Sequence, residues 1–153
     1  MPELEINKIT EDNFPVFVSL IEKLAEYENL TPPDEDAKKS LFKDAFSENP
    51  RYNAYLAYQD ETPVGYIIFY LTYSTFLAKP VLYLEDIFVP EEYRKKGIGK
   101  VLFEFCREEA KKNGCCRMEW NVLAWNEPSI KFYERMGGVM QDWYLYRIEG
   151  ENL

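Results

Sequence analysis

The stretch Leu82-Tyr-Leu-Glu-Asp-Ile-Phe-Val-Pro90, followed three residues later by Arg94-Lys-Lys-Gly-Ile-Gly99, decides how this chain is read. Its pattern is a buried strand, a short turn, and two glycines that open a helix. The first N–H groups of a helix lack internal acceptors, and the helix dipole adds partial positive charge beside them, so such a junction binds an anion. Gly97 and Gly99 let the backbone approach a phosphate where a Cβ would collide. Arg94, Lys95, Lys96 and Lys100 add positive charge around Ile98 in a chain whose formal net charge is −9. The expected ligand carries phosphates.

Two phosphate-loop patterns do not fit. A P-loop requires glycine, four residues, then Gly-Lys-Ser/Thr, but Arg94 stands where the first glycine belongs and Val101 where the hydroxyl belongs. A dinucleotide fingerprint requires a third glycine, at the position of Leu102. The remaining pattern, Arg-x-x-Gly-x-Gly, resembles the pyrophosphate loop of the GNAT superfamily of N-acetyltransferases, which bind acetyl-CoA. A second segment, Ala124-Trp-Asn-Glu-Pro-Ser-Ile-Lys-Phe-Tyr-Glu-Arg-Met-Gly137, is similar to the superfamily's Asn-x-x-Ser/Ala-x-x-Phe-Tyr-x-x-x-Gly. Asn126 suits a helix cap, Pro128 the first turn and Gly137 the end. Taken singly, the first motif also reads as a plain helix-opening turn and the second as any short capped helix. Their order and spacing together favour the superfamily.

With 153 residues, 46% of them hydrophobic and 16% aromatic, the chain reads as one globular domain, 1–153. No apolar run is long enough for a membrane helix, and Met1-Pro-Glu-Leu-Glu lacks the basic-then-apolar pattern of a leader. The expectation is a cytoplasmic protein without a membrane partner. Its negative charge disfavours nucleic acid and suits a cationic small molecule. Cys106, Cys115 and Cys116, with no histidine in the chain, support neither a disulfide framework nor a Cys/His zinc site. No metal is expected, and the cysteines are assigned to packing. Without histidine, any general acid or base must be Asp, Glu, Tyr, Lys, Cys or water.

Periodicity predicts a strand over 5–9, then a helix from about Asp12 with Phe14, Phe17, Val18, Ile21, Leu24 and Ala25 inward. A second helix follows Thr31-Pro-Pro-Asp34 to about Ser47, with Leu41, Ala45 and Phe46 inward. Strands are expected over 52–59, 64–73 and 81–89, with a turn at Asp60–Pro63. A helix over 97–113 should bury Ile98, Val101, Leu102, Phe105, Cys106 and Ala110. A strand over 115–122, a helix over 127–136 and a final strand over 143–148 complete the chain. This order resembles the GNAT fold, an α/β (α+β) architecture with a mixed, mostly antiparallel central sheet flanked by helices.

Within the superfamily, Ala25-Glu-Tyr-Glu28, Tyr83-Leu-Glu-Asp86 and Trp125-Asn-Glu-Pro-Ser-Ile130 look like the diamine acetyltransferases, that is, the spermidine/spermine enzymes and their thialysine-acetylating relatives. The resemblance implies acetyl-CoA as cosubstrate and a homodimer. It implies backbone roles for Ile87, Phe88 and Val89 along the pantetheine arm and thioester carbonyl, and CoA contacts from Arg94 through Lys100 together with Asn126 and Ser129. Tyr133 is the implied acid, and Glu85 the implied base or amine anchor. Tyr27, Glu28, Asp86, Glu119, Trp120 and Asn121 are implied amine contacts. The segment Gly138-Val-Met-Gln-Asp-Trp143 is shorter than the corresponding polyamine-enzyme loop, which leaves Asp142 as the candidate acidic contact there.

The chemistry asks for the same residue types. An alkylamine is almost wholly protonated at pH 7, so a carboxylate must take its proton, directly or through water, before nitrogen can attack a thioester. Glu85 and Asp86 sit in one apolar strand, where neighbours face opposite sides unless a bulge intervenes; the resemblance selects Glu85. Two other functions stay open at this level: a protein lysine or N-terminal acetyltransferase, and a non-catalytic acyl-CoA-binding module. Trp143-Tyr-Leu-Tyr146 reads either as an interface or as an inner strand.

Overall fold

The computed structural model describes residues 3–153, so Met1 and Pro2 of the N-terminal reading lie outside the described residues. The chain forms two compact units, Met1–Asn121 and Val122–Leu153. The first contains β1 (Leu4–Lys8), α1 (Phe14–Glu28), α2 (Glu35–Phe46), β2 (Asn53–Gln59), β3 (Thr62–Ser74), β4 (Lys79–Phe88), α3 (Ile98–Lys112) and β5 (Met118–Glu119). The sheet order is β1-β2-β3-β4-β5. The first three pairings are antiparallel and β4–β5 is parallel. A parallel neighbour needs a crossover, and α3 supplies it. The β2–β3 hairpin closes through Asp60 and Glu61, both left-handed at φ 47° and 66°, as a tight two-residue turn between twisted strands requires.

Two layers of helix bury the sheet. Phe14, Phe17, Val18 and Leu20 of α1 pack with Leu56, Tyr66, Ile68 and Phe88, and Leu41, Ala45 and Phe46 of α2 lie at the edge of that cluster. The Asp34 side chain caps α2, accepting from the Ala37 amide at 2.8 Å. On the other face α3 packs on β3 and β4. It buries Ile98, Leu102, Phe103, Cys106 and Ala110. Val101, expected inward, is 45% exposed; the stripe runs i, i+4, i+5, i+8, i+12, which places Phe103 beneath the helix instead.

The second unit holds α4 (Glu127–Arg135) and a terminal 3-10 turn, Gly150–Asn152. Asn126 accepts from the Ser129 amide at the start of α4. Gly137, at φ 92°, turns the chain out of the helix, and the Gly138 amide closes back onto the Tyr133 carbonyl at 2.9 Å. Two strand expectations change. β5 is two residues long rather than spanning 115–122, and 143–148 has no regular structure, with Trp143, Tyr144 and Tyr146 each more than four-fifths exposed. An alternating apolar pattern supplies side chains for a strand but not its ladder partner, and the ladder is what makes the strand. Among the described residues, no helix is long and apolar enough to cross a membrane.

Candidate active site

The decisive local feature is a bulge in β4. Ile68 pairs with Asp86 and Phe69 with Leu84, so Glu85 has no partner on β3. On β3, Tyr66, Ile68 and Tyr70 share one face, opposite Phe88, Asp86 and Tyr83 respectively. In an unbroken strand Tyr83 and Asp86 would face opposite sides; the extra residue brings both to the same side. That side is the one α1 covers, since Phe17 meets the Tyr66 ring edge-on with centroids 5.7 Å apart. The alternation argument for separating Glu85 from Asp86 therefore yields to the bulge, and the Tyr70 hydroxyl donates to Glu85 Oε2 at 2.9 Å.

α1 brings the remaining groups. It ends at Glu28 because Asn29 takes a left-handed conformation, φ 56°. Tyr27 and Glu28 thus sit at a helix C-terminus, where the dipole favours a cation and disfavours a bare carboxylate. Burial raises the Glu28 carboxyl above its ordinary value. Asp86 is pushed up to about 7 by burial first, then by the charges of Glu85 and Glu28, with the Tyr66 hydroxyl pulling the other way. Burial also raises Tyr83, and Glu85, Asp86 and Glu119 add to that, while the Asn121 side chain opposes it. Among the described residues, no lysine or arginine forms an ion pair with Glu28, Glu85 or Asp86.

Glu119 is also ion-paired with Arg117. Trp120, between Glu119 and Asn121, meets Phe103 of α3 edge-on at 5.4 Å, so its ring packs toward the α3 layer, away from the carboxylates on the α1 face. Sequence reasoning missed Tyr66, Tyr70 and Tyr83. Their spacing across two strands carries meaning only once the bulged register is known.

The phosphate loop follows directly from β4. Arg94 Nε donates to the Val89 carbonyl at 2.8 Å, and its guanidinium lies over the Tyr27 ring at 4.6 Å and the Phe88 ring at 5.8 Å. Arg94 therefore ties the loop to the strand end and to α1. The Phe88 side chain is core, which leaves its backbone for any ligand. Lys95 and Gly97 are both left-handed, at φ 62° and 81°. Gly97 caps α3, and a Cβ built there would meet no atom within 4 Å. That open space borders the first-turn amides of α3, which have no helical acceptor, and Lys96 and Lys100 flank it. The cradle fits a pyrophosphate.

Comparison with known proteins agrees with this geometry. A family model described as "Acetyltransferase (GNAT) family" matches residues 17–138. The chain belongs to the GNAT family. It is an acetyl-CoA-dependent N-acetyltransferase. A thialysine N-epsilon-acetyltransferase of Caenorhabditis elegans is 30% identical over 98% of this chain and 94% of its own length. A spermidine/spermine N(1)-acetyltransferase-like protein of Homo sapiens is 29% identical over the full chain and 24% of its own length. The fold matches that of an aminoglycoside N-acetyltransferase solved with CoA, with a TM-score of 0.80, 18% identity, and coverage of 97% of this chain and 96% of that one. Asn126, Ser129, Tyr133 and Asp142 of this GNAT chain lie in the second unit, with Ser129 and Tyr133 on α4 and Asn126 at its cap.

Proposed function

We propose that this acetyltransferase acts on the primary amine of a small cationic substrate, either a polyamine or diamine of the spermidine/spermine kind or thialysine. One observation carries the reading: Glu28, Glu85 and Asp86 gather at the end of α1 and the bulge of β4 without a lysine or arginine ion-pair partner among the described residues. Crowded carboxylates without a counter-ion gain from an incoming ammonium. Tyr70 and Tyr83 add aromatic faces that suit the same charge, and Tyr27, whose ring carries the Arg94 guanidinium, lies beside them at the end of α1. The thialysine and spermidine/spermine relatives support this substrate class.

Acetyl-CoA, when bound, supplies an acetyl carbon activated as a thioester. The Arg94–Lys100 loop would hold its pyrophosphate and the Ile87–Val89 backbone its pantetheine arm. The carboxylates bind and deprotonate the amine, which attacks directly with both substrates bound. Tyr133 donates the proton that the departing sulfur requires. Asn126 and Ser129 are assigned to the CoA side, and Glu119, Asn121 and Asp142 to the amine side, where Trp120, its ring turned to Phe103, would contribute only its backbone. A cytoplasmic homodimer belongs to the same reading; sedimentation of the purified chain tests the dimer. The substrate assignment is tested by following acetyl-CoA consumption with spermidine, spermine, putrescine, thialysine, lysine and a basic peptide. Preference for one of the first four supports it, and preference for the peptide overturns it.

A further inference from the structure

Tyr66 is the one residue of this region whose chemistry is unexplained by packing. Its side chain is fully buried between Phe17 of α1 and Phe88 of β4, and its hydroxyl lacks a well-formed hydrogen-bond partner. A phenol enclosed in that way costs more than phenylalanine would. The hydroxyl lies on the face of the sheet that also carries Asp86, and burial first, then the charges of Asp86, Glu28 and Glu85, keep the phenol protonated. Asp86 stands two pairs along the ladder from Tyr66, opposite Ile68 and on the same face.

The two adjacent carboxylates are not equivalent. Glu85 is exposed at the bulge and already accepts from Tyr70. Asp86 faces inward among groups that all bear on its charge: Glu85 on its own strand, Glu28 from α1 and Tyr66 from β3. We propose that Asp86, which shares the buried face with Tyr66, accepts the proton of the incoming ammonium, while Glu85 and Glu28 anchor its charge. This rests on the amine reading above and deepens it. Asp86 is then the catalytic residue and Tyr66 a positioning residue. In the step, the ammonium passes one proton to the Asp86 carboxylate, which releases it to solvent. The free nitrogen forms its bond to the acetyl carbon as the carbon–sulfur bond breaks, and a second proton leaves nitrogen while one is gained by sulfur. A proton acceptor works best when it titrates near the working pH, and Asp86 does so near 7.

The test is the acid limb of kcat/KM against pH, read beside carboxyl-carbon NMR titration of protein labelled at aspartate. Wild type should show a limb near pH 7, with an Asp86 resonance titrating in step and missing in Asp86→Asn. Tyr66→Phe should move both upward by about half to one pH unit, because the hydroxyl favours the ionised carboxylate. Glu85→Gln should move them downward, because a repelling charge is removed. A merely structural role would not give opposite signs. Asp86→Asn should remove the limb and lower kcat by on the order of 10²- to 10⁴-fold. An Asp86 titrating near 4, or a limb that survives in Asp86→Asn, overturns the proposal. Failure of the small-amine reading shows separately, as turnover confined to a basic peptide, on which the same limbs are read.

Discussion

Replacing Asp86 with asparagine should stabilise the protein, and by more at high pH than at low. The carboxyl rises from 3.8 to about 7 on folding, so the folded state binds the proton more tightly than the unfolded chain. A raised pKa contributes stability that is complete below the unfolded value and is lost as pH rises through the folded one. The window is therefore about pH 4 to 7. At 1.36 kcal/mol per unit, ionised Asp86 costs the fold about 4 kcal/mol at pH 8. Asparagine keeps the shape without the charge. Urea unfolding of both proteins at pH 5 and pH 8 isolates the effect, since every other carboxylate contributes to both. The advantage of the Asp86→Asn variant should grow by about 2–3 kcal/mol between the two pH values. A constant or shrinking advantage would refute the buried-charge account of this site.

Three further outcomes follow. Gly97→Ala should cost about 1–2 kcal/mol through its left-handed φ of 81° rather than through a clash, and should reduce the rise in Tm produced by acetyl-CoA in a thermal-shift assay. In Gly65→Ala, the new Cβ would lie 2.9 Å from the Phe88 carbonyl oxygen and 3.1 Å from Leu102 Cδ1. The end of β4 must then shift, lowering stability by about 1–3 kcal/mol and raising KM for acetyl-CoA. Tyr133→Phe should lower kcat by on the order of 10²-fold or more with little change in KM, as measured by steady-state kinetics.

The fold was legible where the pattern was local. Asn126 was placed by its capping chemistry, Pro128 by the first-turn rule, and the core face of α1 by its spacing. The strand at 143–148 was not legible, because its existence depends on a partner the sequence does not name. The loop 94–100 stood out because a glycine at positive φ followed by a helix is local chemistry. The proposed amine site was half-legible: Glu85 and Asp86 were conspicuous as charges in an apolar strand, but the division of labour proposed for them depends on a one-residue bulge and on Tyr66 two registers away. Twelve tyrosines in the chain made none informative until the ladder aligned Tyr66 and Tyr70 with the acidic pair. Trp120 shows the converse, since a residue in a suggestive motif turns its ring onto Phe103.

The central claim is that an unpaired carboxylate cluster selects a cationic amine for acetylation. It is tested most directly by comparing kcat/KM for a diamine with that for a neutral-tailed monoamine of equal length, at low and high salt. The account predicts that the diamine leads by about tenfold or more at low salt, equivalent to about 1.4 kcal/mol, and that salt narrows the lead by screening. Equal kcat/KM values at low salt would contradict it.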